Sequence, residues 1–275
     1  MTTGSEWQAR VGRAWADEWR RTDRSFAGLT PHLLAAIAEQ PGAQILDIGC
    51  GAGEISLAVA HARPGARITG IDISADLVAA ASERAAEMGT RNVRFDHDDA
   101  GVFRKGAAPC DLLISRHGVM FFADPPKVFR HLADQAVPGA RLVFSCFRSP
   151  GENPWARILA PLFAPAPPEP VVPFPAGPFA FADPAHVERC LAGWAGLTFT
   201  PVDFTYVAGA GDDPVADAIG FFSRIGPAAA RLAALDDAAR ECVRGRMAEV
   251  LESYLAGGVV GFAAAAWIVC ATSTV

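Results

Sequence analysis

The sequence predicts an α/β fold built around a doubly wound, Rossmann-like sheet that is mostly parallel. From Thr30 to Phe147, short strand-like segments alternate with helix-like segments, which is the order that builds parallel sheets. The strand-like segments are apolar at most positions, as expected for strands covered by helices on both faces. Right-handed crossovers then give an open sheet with helices on each side.

The helices of this region have recognisable beginnings and ends. The first is predicted to start with Thr30 as a hydroxyl N-cap followed by Pro31, and to stop at Pro41. A later helix is capped by Ser74 and stops at Gly89, with apolar residues at helical spacing between them. Further helices are predicted over residues 54–62 and from Pro125-Pro126 to Pro138-Gly139. Strands are predicted over residues 43–49, 66–72, 93–97, 110–115 and 141–147.

The chain changes character after Arg148. Residues 153–184 are dense in Pro, Phe and Ala, and proline this frequent is incompatible with helix interiors and central strands. We interpret this segment as a lid or pocket wall, with a merely structural loop as the alternative. Beyond it, the pattern predicts a helix from Asp183, a strand over residues 197–207, two helices over 216–224 and 238–255, and a last strand over 264–271.

Composition narrows the classes of partner. The formal net charge of the 275 residues is −6 and no run of Lys or Arg occurs, which argues against nucleic acid and leaves small molecules as partners. Six cysteines without a Cys-x-x-Cys pair predict reduced thiols in a cytoplasmic protein, and no metal site. The polar N-terminus is unlike a signal peptide, and the apolar C-terminal stretch is too short to span a membrane.

The stretch "ILDIGCGAGEIS", from Ile45 to Ser56, joins a buried strand to a helix through three alternating glycines. Glycines at the carboxyl end of a parallel strand let the backbone turn and approach a ligand closely. A dinucleotide fingerprint requires Gly-x-Gly-x-x-Gly, and Glu54 occupies the place of its last glycine. A carboxylate at a helix start repels phosphate. The ligand is therefore predicted to be nucleoside-like and poor in phosphate.

Acidic residues follow the next two predicted strands. Asp72 lies 23 positions after Gly49, near the spacing of a carboxylate that reads ribose hydroxyls. Its alternative is a solvated aspartate at a strand end. Asp99 and Ala100 follow the third strand, where a carboxylate can accept from an adenine amino group beside a backbone N–H. Asp98 is a competing candidate for that role.

In this order, the segments resemble the class I S-adenosylmethionine-dependent methyltransferases. The resemblance rests on "ILDIGCGAG", "GIDIS", "DDA" and "DLLISRHGVMFFADPPKVFRHLADQAVPGARLVF". The last of these is similar to small-molecule methyltransferases of the ubiquinone and menaquinone biosynthesis type. The resemblance covers roughly residues 30–147, and it implies a seven-stranded sheet whose last strand is antiparallel.

The resemblance implies a role for each matching residue toward S-adenosyl-L-methionine. Asp47 and the loop backbone would hold the methionyl amine and carboxylate. Asp72 would take the ribose hydroxyls, Ile73 would lie along the adenine, and Asp99 with Ala100 would read its edge. The implied loop residues are Gly49, Cys50, Gly51 and Gly53, and the residues bordering the methionine end are Ser115 and Arg116.

The implied domain is single and has four parts. Its N-terminal helical cap, residues 1–29, carries Trp7, Trp15 and Trp19, of which one, Trp15 foremost, is expected to touch the cofactor; helix packing is the alternative. The other parts are the cofactor-binding core (30–147), the lid with a helix (148–196), and the last two strands with a helical insertion (197–275).

The sequence says less about the residues that bind the methyl acceptor than about those that bind the cofactor. If the acceptor is a hydroxyl, His117 after the fourth strand is the candidate general base, with a packed or exposed loop histidine as its alternative; acidic carbon or thiolate acceptors need no base. Aromatic residues suit a hydrophobic or aromatic acceptor. The candidates for the pocket are Met120, Phe121, Phe122, Trp155 and Phe179, with Phe163, Phe174 and Phe181 as further members.

The leading prediction is O- or C-methylation of such a small acceptor, with S-adenosyl-L-homocysteine as product. One alternative is an NAD-dependent oxidoreductase, which Glu54 and the lack of a second catalytic constellation disfavour. Another is a protein that binds S-adenosylmethionine without turnover.

Overall fold

The computed structural model describes residues 10–104, 109–165 and 173–275. Trp7 and residues 166–172 of the predicted lid lie outside these ranges. The strands are β1 (Gln44–Ile48), β2 (Arg67–Asp72), β3 (Val93–His97), β4 (Cys110–Arg116), β5 (Ala136–Phe147), β6 (Trp194–Gly209), β7 (Leu255–Ala256) and β8 (Val259–Ser273). The α-helices are α1 (Arg10–Asp17), α2 (Trp19–Ser25), α3 (Thr30–Ala38), α4 (Glu54–Ala62), α5 (Ala75–Glu87), α6 (Pro125–Asp134), α7 (Pro184–Cys190), α8 (Pro214–Phe222), α9 (Pro227–Ala233) and α10 (Asp237–Glu252).

The strands form one sheet in the order β3-β2-β1-β4-β5-β8-β6, with β7 paired to β8. Strands β1 to β5 pair in parallel. Strand β8 runs antiparallel to both β5 and β6, so the last long strand is inserted antiparallel as predicted. The short β7 forms a hairpin with β8 and brings the sheet to eight strands. The predicted α/β fold class is confirmed.

Side-chain caps account for several helix starts. The Ser74 hydroxyl accepts a hydrogen bond at 3.4 Å from the backbone N–H of Leu77, three residues further along the chain. Asp124 caps α6 through the Lys127 N–H at 3.2 Å, and Asp183 caps α7. Each cap satisfies one of the donors that a helix N-terminus leaves unpaired. The sequence therefore predicts the starts of these helices correctly.

Three local predictions were wrong. Thr30 lies inside α3 with Leu29 at the N-cap, and its hydroxyl accepts from Arg116 at 3.3 Å. Helix α6 ends at Asp134, and the predicted stop, Pro138-Gly139, lies within β5 because that strand already pairs with β4 at Ala136. The insertion between β6 and β8 contains three described helices where two were expected. Gly226, with a φ of 88°, breaks the chain between α8 and α9.

The order of the strands reverses between β1 and β4, whose neighbours lie on opposite sides. Both strands are almost wholly buried. In open parallel sheets, a ligand crevice forms at the carboxyl ends of the strands beside such a reversal. Among the described residues, no helix is long and apolar enough to cross a membrane.

Candidate active site

A cavity of about 480 Å³ opens at the carboxyl ends of β1, β2 and β4. Its floor includes the glycine loop after β1 and the turn after β4, and the N-terminal helices contribute Trp15, Trp19 and Asp23 to its wall. Polar groups concentrate on the side of β1 and β2, whereas aromatic rings line the side of β5 and β6. The cavity therefore has two chemically different ends.

The glycine loop combines clearance with tight packing. Gly51 has a φ of 55°, and a Cβ at this position would meet no atom of the described residues within 4 Å, so the open cavity lies beside it. Gly53 also has a positive φ, but a Cβ there would lie 2.8 Å from the Phe95 ring. Gly53 thus serves the packing of α4 against the sheet and does not line the cavity. Cys50 lines it, and burial raises the pKa of its thiol.

Asp72 braces the glycine loop with both carboxylate oxygens. Oδ2 accepts from the Gly51 N–H and Oδ1 from the Ser74 N–H, each at 2.9 Å. Burial raises the pKa of Asp72, and the two backbone hydrogen bonds oppose that shift. Each oxygen keeps a second lone pair, and the residue lines the cavity beside Ile73. The geometry suits the two hydroxyls of a ribose.

Asp47 carries a buried oxygen without a partner. The Ser56 hydroxyl donates to Oδ2 at 2.6 Å, but Oδ1 makes no hydrogen bond in the described structure, although only 1% of the residue is exposed. Burial raises the pKa of Asp47 to about 6. A buried carboxylate oxygen without a donor is costly. An ammonium group in the cavity would satisfy it.

Asp98 and Asp99 border the cavity beyond β3. The Asp98 carboxylate accepts from the Asp99 N–H at 2.8 Å, and Asp99 Oδ1 accepts from the Gly101 N–H at 2.7 Å. These bonds fold the turn so that Ala100 lies buried on the cavity wall. Each carboxylate has a second oxygen that these hydrogen bonds do not use. Asp98 and Asp99 therefore both remain candidates for the residue that accepts from an adenine amino group.

Arg116 connects the core to the N-terminal helices. It pairs with Glu54 at the start of α4, and its Nη2 lies 3.2 Å from Asp23 Oδ1 on α2. Asp23 also pairs with Arg84 at 2.9 Å, and the Arg84 guanidinium lies 3.7 Å above the centre of the Trp19 ring. Because Arg116 neutralises Glu54, the repulsion of phosphate by that carboxylate is weaker than the sequence alone indicated.

The other end of the cavity is aromatic. The Trp155 ring stacks on Tyr206 with centroids 4.9 Å apart, and Phe147 lies 4.9 Å from Trp155. His117 packs against Phe147 at 4.2 Å and Phe26 at 4.9 Å. Its Nδ1 is 2.8 Å from the Ser145 hydroxyl, whereas its Nε2 is buried and has no hydrogen bond to any residue that the structure describes. Burial strongly lowers the pKa of His117.

The structure brings most of the predicted site residues to one cavity. Those on its wall are Trp15, Asp47, Gly49, Cys50, Gly51, Asp72, Ile73, Asp99, Ala100, Arg116, His117, Met120, Phe121, Phe122 and Trp155. Three predicted members, Gly53, Ser115 and Phe179, do not line it.

Ser115 and Phe179 have other surroundings. The buried Ser115 hydroxyl donates to the Ile48 carbonyl at 2.6 Å and accepts from the Gly118 N–H, which shapes the turn after β4. Phe179 packs behind Trp155 at 6.0 Å. The further aromatic candidates Phe163, Phe174 and Phe181 also lie away from the cavity wall.

Among the wall residues that sequence reasoning missed are Asp23, Phe26, Phe147 and Tyr206. Phe147 ends the predicted fifth strand, and its position at that carboxyl end was a usable signal. Tyr206 belongs to a strand predicted correctly, but the pairing of β6 beyond β8 decides what it faces. Asp23 and Phe26 have no motif around them, because only the folding of the N-terminal helices over the core brings them here.

The fold is Rossmann-like, and its cavity lies at the carboxyl ends of the parallel strands. Residues 39–163 match a family model described as a methyltransferase domain, in agreement with the resemblance that the sequence indicated. Similar curated proteins include trans-aconitate 2-methyltransferase of Deinococcus radiodurans, 33% identical over 40% of this chain and 40% of that protein. Another is the ubiquinone biosynthesis O-methyltransferase of Coxiella burnetii, 32% identical over 42% of this chain and 50% of that protein. The chain thus spans half or less of the length of these relatives.

Solved structures share the fold at low sequence identity. Phosphoethanolamine N-methyltransferase 2 of Haemonchus contortus, in complex with S-adenosyl-L-methionine, has a TM-score of 0.52 and 16% identity over 98% of this chain and 57% of that one. The cyclase SpnF has a TM-score of 0.51 and 21% identity over 90% of this chain and 80% of that one. Since an N-methyltransferase and a cyclase share this fold, the fold alone does not determine which reaction a protein catalyses.

Proposed function

We propose that this protein transfers a methyl group from S-adenosyl-L-methionine to a small hydrophobic or aromatic acceptor, by O- or C-methylation. The observation that carries the proposal is the unpaired, buried Oδ1 of Asp47 at the cavity wall. S-Adenosylmethionine has an ammonium group that satisfies this oxygen, whereas NAD lacks an aliphatic ammonium group. The methyltransferase domain model and the similarity to named O-methyltransferases support the same reaction.

The residues present fit this cofactor. Asp47 would hold the ammonium group, the backbone around Gly51 would approach the methionyl part, and Asp72 would accept from the ribose hydroxyls. Ile73 and Ala100 would flank the adenine, with Asp98 or Asp99 accepting from its amino group. When bound, the cofactor supplies an activated methyl group on a positively charged sulfur.

The chain's own part in catalysis is alignment and the exclusion of water. Helices α1 and α2, called the roof of the cavity, carry Trp15 and Trp19, and the aromatic end carries Phe147, Trp155 and Tyr206. This apolar wall favours an apolar acceptor and removes bulk water from around a charged sulfur. In the described residues, no group of His, Cys, Asp and Glu has the arrangement of a metal site, and the proposal requires none.

The proposal extends to organisation and location. Residues 10–29 act as a cap over the core, and the described residues between 148 and 196 contribute Trp155 and Pro178 to the cavity wall. The acceptor is a small molecule and not a nucleic acid, in keeping with a net charge of −6. We place the reaction in the cytoplasm on the strength of the scattered cysteines.

Calorimetry with S-adenosylhomocysteine, S-adenosylmethionine and NAD tests the binding part. We expect both sulfur nucleosides to bind and NAD not to bind; the reverse order would contradict the proposal. Formation of S-adenosylhomocysteine is then measured with phenols, acidic enols, thiols, amines and aliphatic carboxylates. Turnover confined to the apolar phenols or enols supports the function. Tight binding without turnover on any of them would identify a binding protein instead.

A further inference from the structure

We infer that His117 donates a hydrogen bond to the acceptor instead of removing its proton, and that Ser145 is the positioning residue that fixes His117 in this form. The acceptor class is then an acidic enol or phenol that binds as its anion. This inference rests on the proposed methyl transfer and deepens it. It replaces the general-base role that the sequence indicated for His117.

The backbone fixes His117 against Ser145 at two points. The His117 N–H donates to the Ser145 carbonyl at 3.1 Å, and the ring Nδ1 lies 2.8 Å from the Ser145 hydroxyl. His117 has a φ of 60°, in the left-handed region that is uncommon for residues with a side chain. Gly118 allows the turn, because a Cβ there would lie 2.7 Å from the Ile48 carbonyl. The imidazole is therefore held between β5 and the cavity.

The Ser145 hydroxyl decides which ring nitrogen carries the hydrogen. Ser145 is fully buried, and within the described chain its hydroxyl has one hydrogen-bond partner, His117 Nδ1. A buried hydroxyl that does not donate leaves a donor unsatisfied, which is unfavourable. Ser145 therefore donates to Nδ1, and this nitrogen must be the unprotonated one. In neutral imidazole, the single hydrogen then resides on Nε2.

The surroundings keep the ring neutral. The rings of Phe26 and Phe147 pack on it, and Tyr206 lies on the same cavity wall with a phenol pKa raised by burial. The charged group that acts on His117 is its neighbour Arg116, which opposes a second positive charge. Burial and this charge both lower the pKa of His117. A neutral ring with hydrogen on Nε2 holds a donor that is unpaired within the described residues, on a residue of the cavity wall.

An N–H at this position cannot act as a base toward the acceptor. The acceptor must lose its proton to water before it binds, and Nε2–H then stabilises the oxygen of the enolate or phenolate. An electron pair of that anion forms the bond to the methyl carbon, while the pair of the broken carbon–sulfur bond stays on sulfur. The positive sulfur and the anion are both neutral afterwards, so no proton passes through the protein.

Nitrogen-15 NMR of histidine-labelled protein tests the tautomer directly, with and without S-adenosylhomocysteine. The His117→Asn variant identifies the His117 signals among those of the six histidines, and asparagine tolerates a positive φ. We expect a protonated Nε2 and an unprotonated Nδ1 across the neutral pH range. A protonated Nδ1 in the wild-type spectrum would overturn the inference, whatever the variants do.

The role of Ser145 is tested by Ser145→Ala and Ser145→Thr. The alanine variant should lose the tautomer preference, with averaged shifts for the two ring nitrogens, whereas the threonine variant keeps a hydroxyl and should retain the wild-type pattern. An unchanged His117 tautomer in folded Ser145→Ala would remove Ser145 from the inference and overturn it. Because the wild-type spectrum already decides the tautomer, a variant that fails to fold leaves the test intact.

Turnover separates a donor from a base. With the acceptor that gives product in the screen above, His117→Gln keeps an N–H donor of similar reach and should exceed His117→Ala at least tenfold in kcat. Equal loss in the two variants would contradict the donor role. Calorimetry of S-adenosylhomocysteine with the same samples keeps the two proposals apart. Failure to bind it refutes the proposed function, whereas the wrong tautomer refutes only this inference.

Discussion

Asp23 and Arg116 form a largely buried ion pair, at 3.2 Å, between helix α2 and the last residue of β4. Only 16% and 13% of the two side chains are exposed. Asp23 pairs at the same time with Arg84 of α5, so a single carboxylate on the N-terminal helices binds two arginines of the core. The roof of the cavity is attached to its floor through this residue.

Asp23→Asn should loosen this roof. The variant leaves Arg84 and Arg116 with weaker partners, and charge-assisted hydrogen bonds contribute about 1.5–3 kcal/mol each. We expect hydrogen exchange of residues 10–25 to accelerate at least tenfold and the affinity for S-adenosylhomocysteine to fall several-fold. Exchange followed by mass spectrometry checks the first effect, and calorimetry checks the second.

Asp17→Asn is the matched control, since Asp17 lies on the neighbouring helix α1 and pairs with Arg224 at an exposed position. Exposed ion pairs contribute roughly 0–1 kcal/mol. Equal acceleration in both variants would mean that Asp23 has no special part in attaching the roof.

The sequence was sufficient to predict most helices and strands of the core, because the residues that begin and end them there act locally along the chain. Helix α4 follows the glycine loop and ends where predicted, and Ser74 caps α5 as expected. The error at the end of α6 arose because strand pairing, which is not local, already begins at Ala136. Gly53 belongs to the right motif, but its contact with Phe95 depends on how α4 packs against β3.

The aromatic end of the cavity illustrates what a motif cannot predict. Phe26 comes from the N-terminal segment, Phe147 from β5 and Tyr206 from β6. The centre of the Phe26 ring lies 5.8 Å from the centre of the Phe147 ring and 5.8 Å from that of the Tyr206 ring. Their meeting depends on the antiparallel insertion of β8 between β5 and β6. A single sequence shows each aromatic residue but not that all three face one cavity.

Asp72→Ala should weaken the binding of S-adenosylmethionine at least tenfold, about 1.4 kcal/mol. The substitution removes the acceptor for the ribose hydroxyls and also the two hydrogen bonds that hold Gly51 and Ser74. Asp72→Asn keeps one acceptor oxygen, so we expect an intermediate loss. Calorimetry measures both affinities, and thermal unfolding confirms that the variants are folded. Glu83→Gln, exposed on α5, serves as control; wild-type affinity in folded Asp72→Ala would refute the ribose role.

Trp155→Ala should impair the acceptor without changing the cofactor. The indole stacks on Tyr206 at the aromatic end, away from the carboxylates assigned to S-adenosylmethionine, and its removal enlarges the acceptor space. We expect the KM of an apolar acceptor to rise at least fivefold with unchanged affinity for S-adenosylhomocysteine. Phe179→Leu is the control, because Phe179 supports Trp155 from behind and does not line the cavity. A similar KM change in both variants would indicate a packing effect only.

Asp47→Asn should stabilise the free protein while weakening its binding of the cofactor. The folded protein holds the pKa of Asp47 at about 6 against an ordinary value of 3.8, so between these pH values the folded state retains a proton that the unfolded state has lost. The carboxyl of Asp47 therefore makes the wild type less stable as pH rises from about 4 to 6, by about 3 kcal/mol in total. Asparagine carries no such charge and can still accept from Ser56. We expect the unfolding free energy of the variant, relative to the wild type, to be about 2–3 kcal/mol higher at pH 8 than at pH 4, measured by urea denaturation.

Calorimetry of Asp47→Asn at pH 8 should show at least a tenfold loss of affinity for S-adenosylmethionine, because the ammonium group loses its carboxylate. Equal differences at the two pH values would contradict the raised pKa, and undiminished affinity would contradict the role of Asp47 as the partner of the ammonium group.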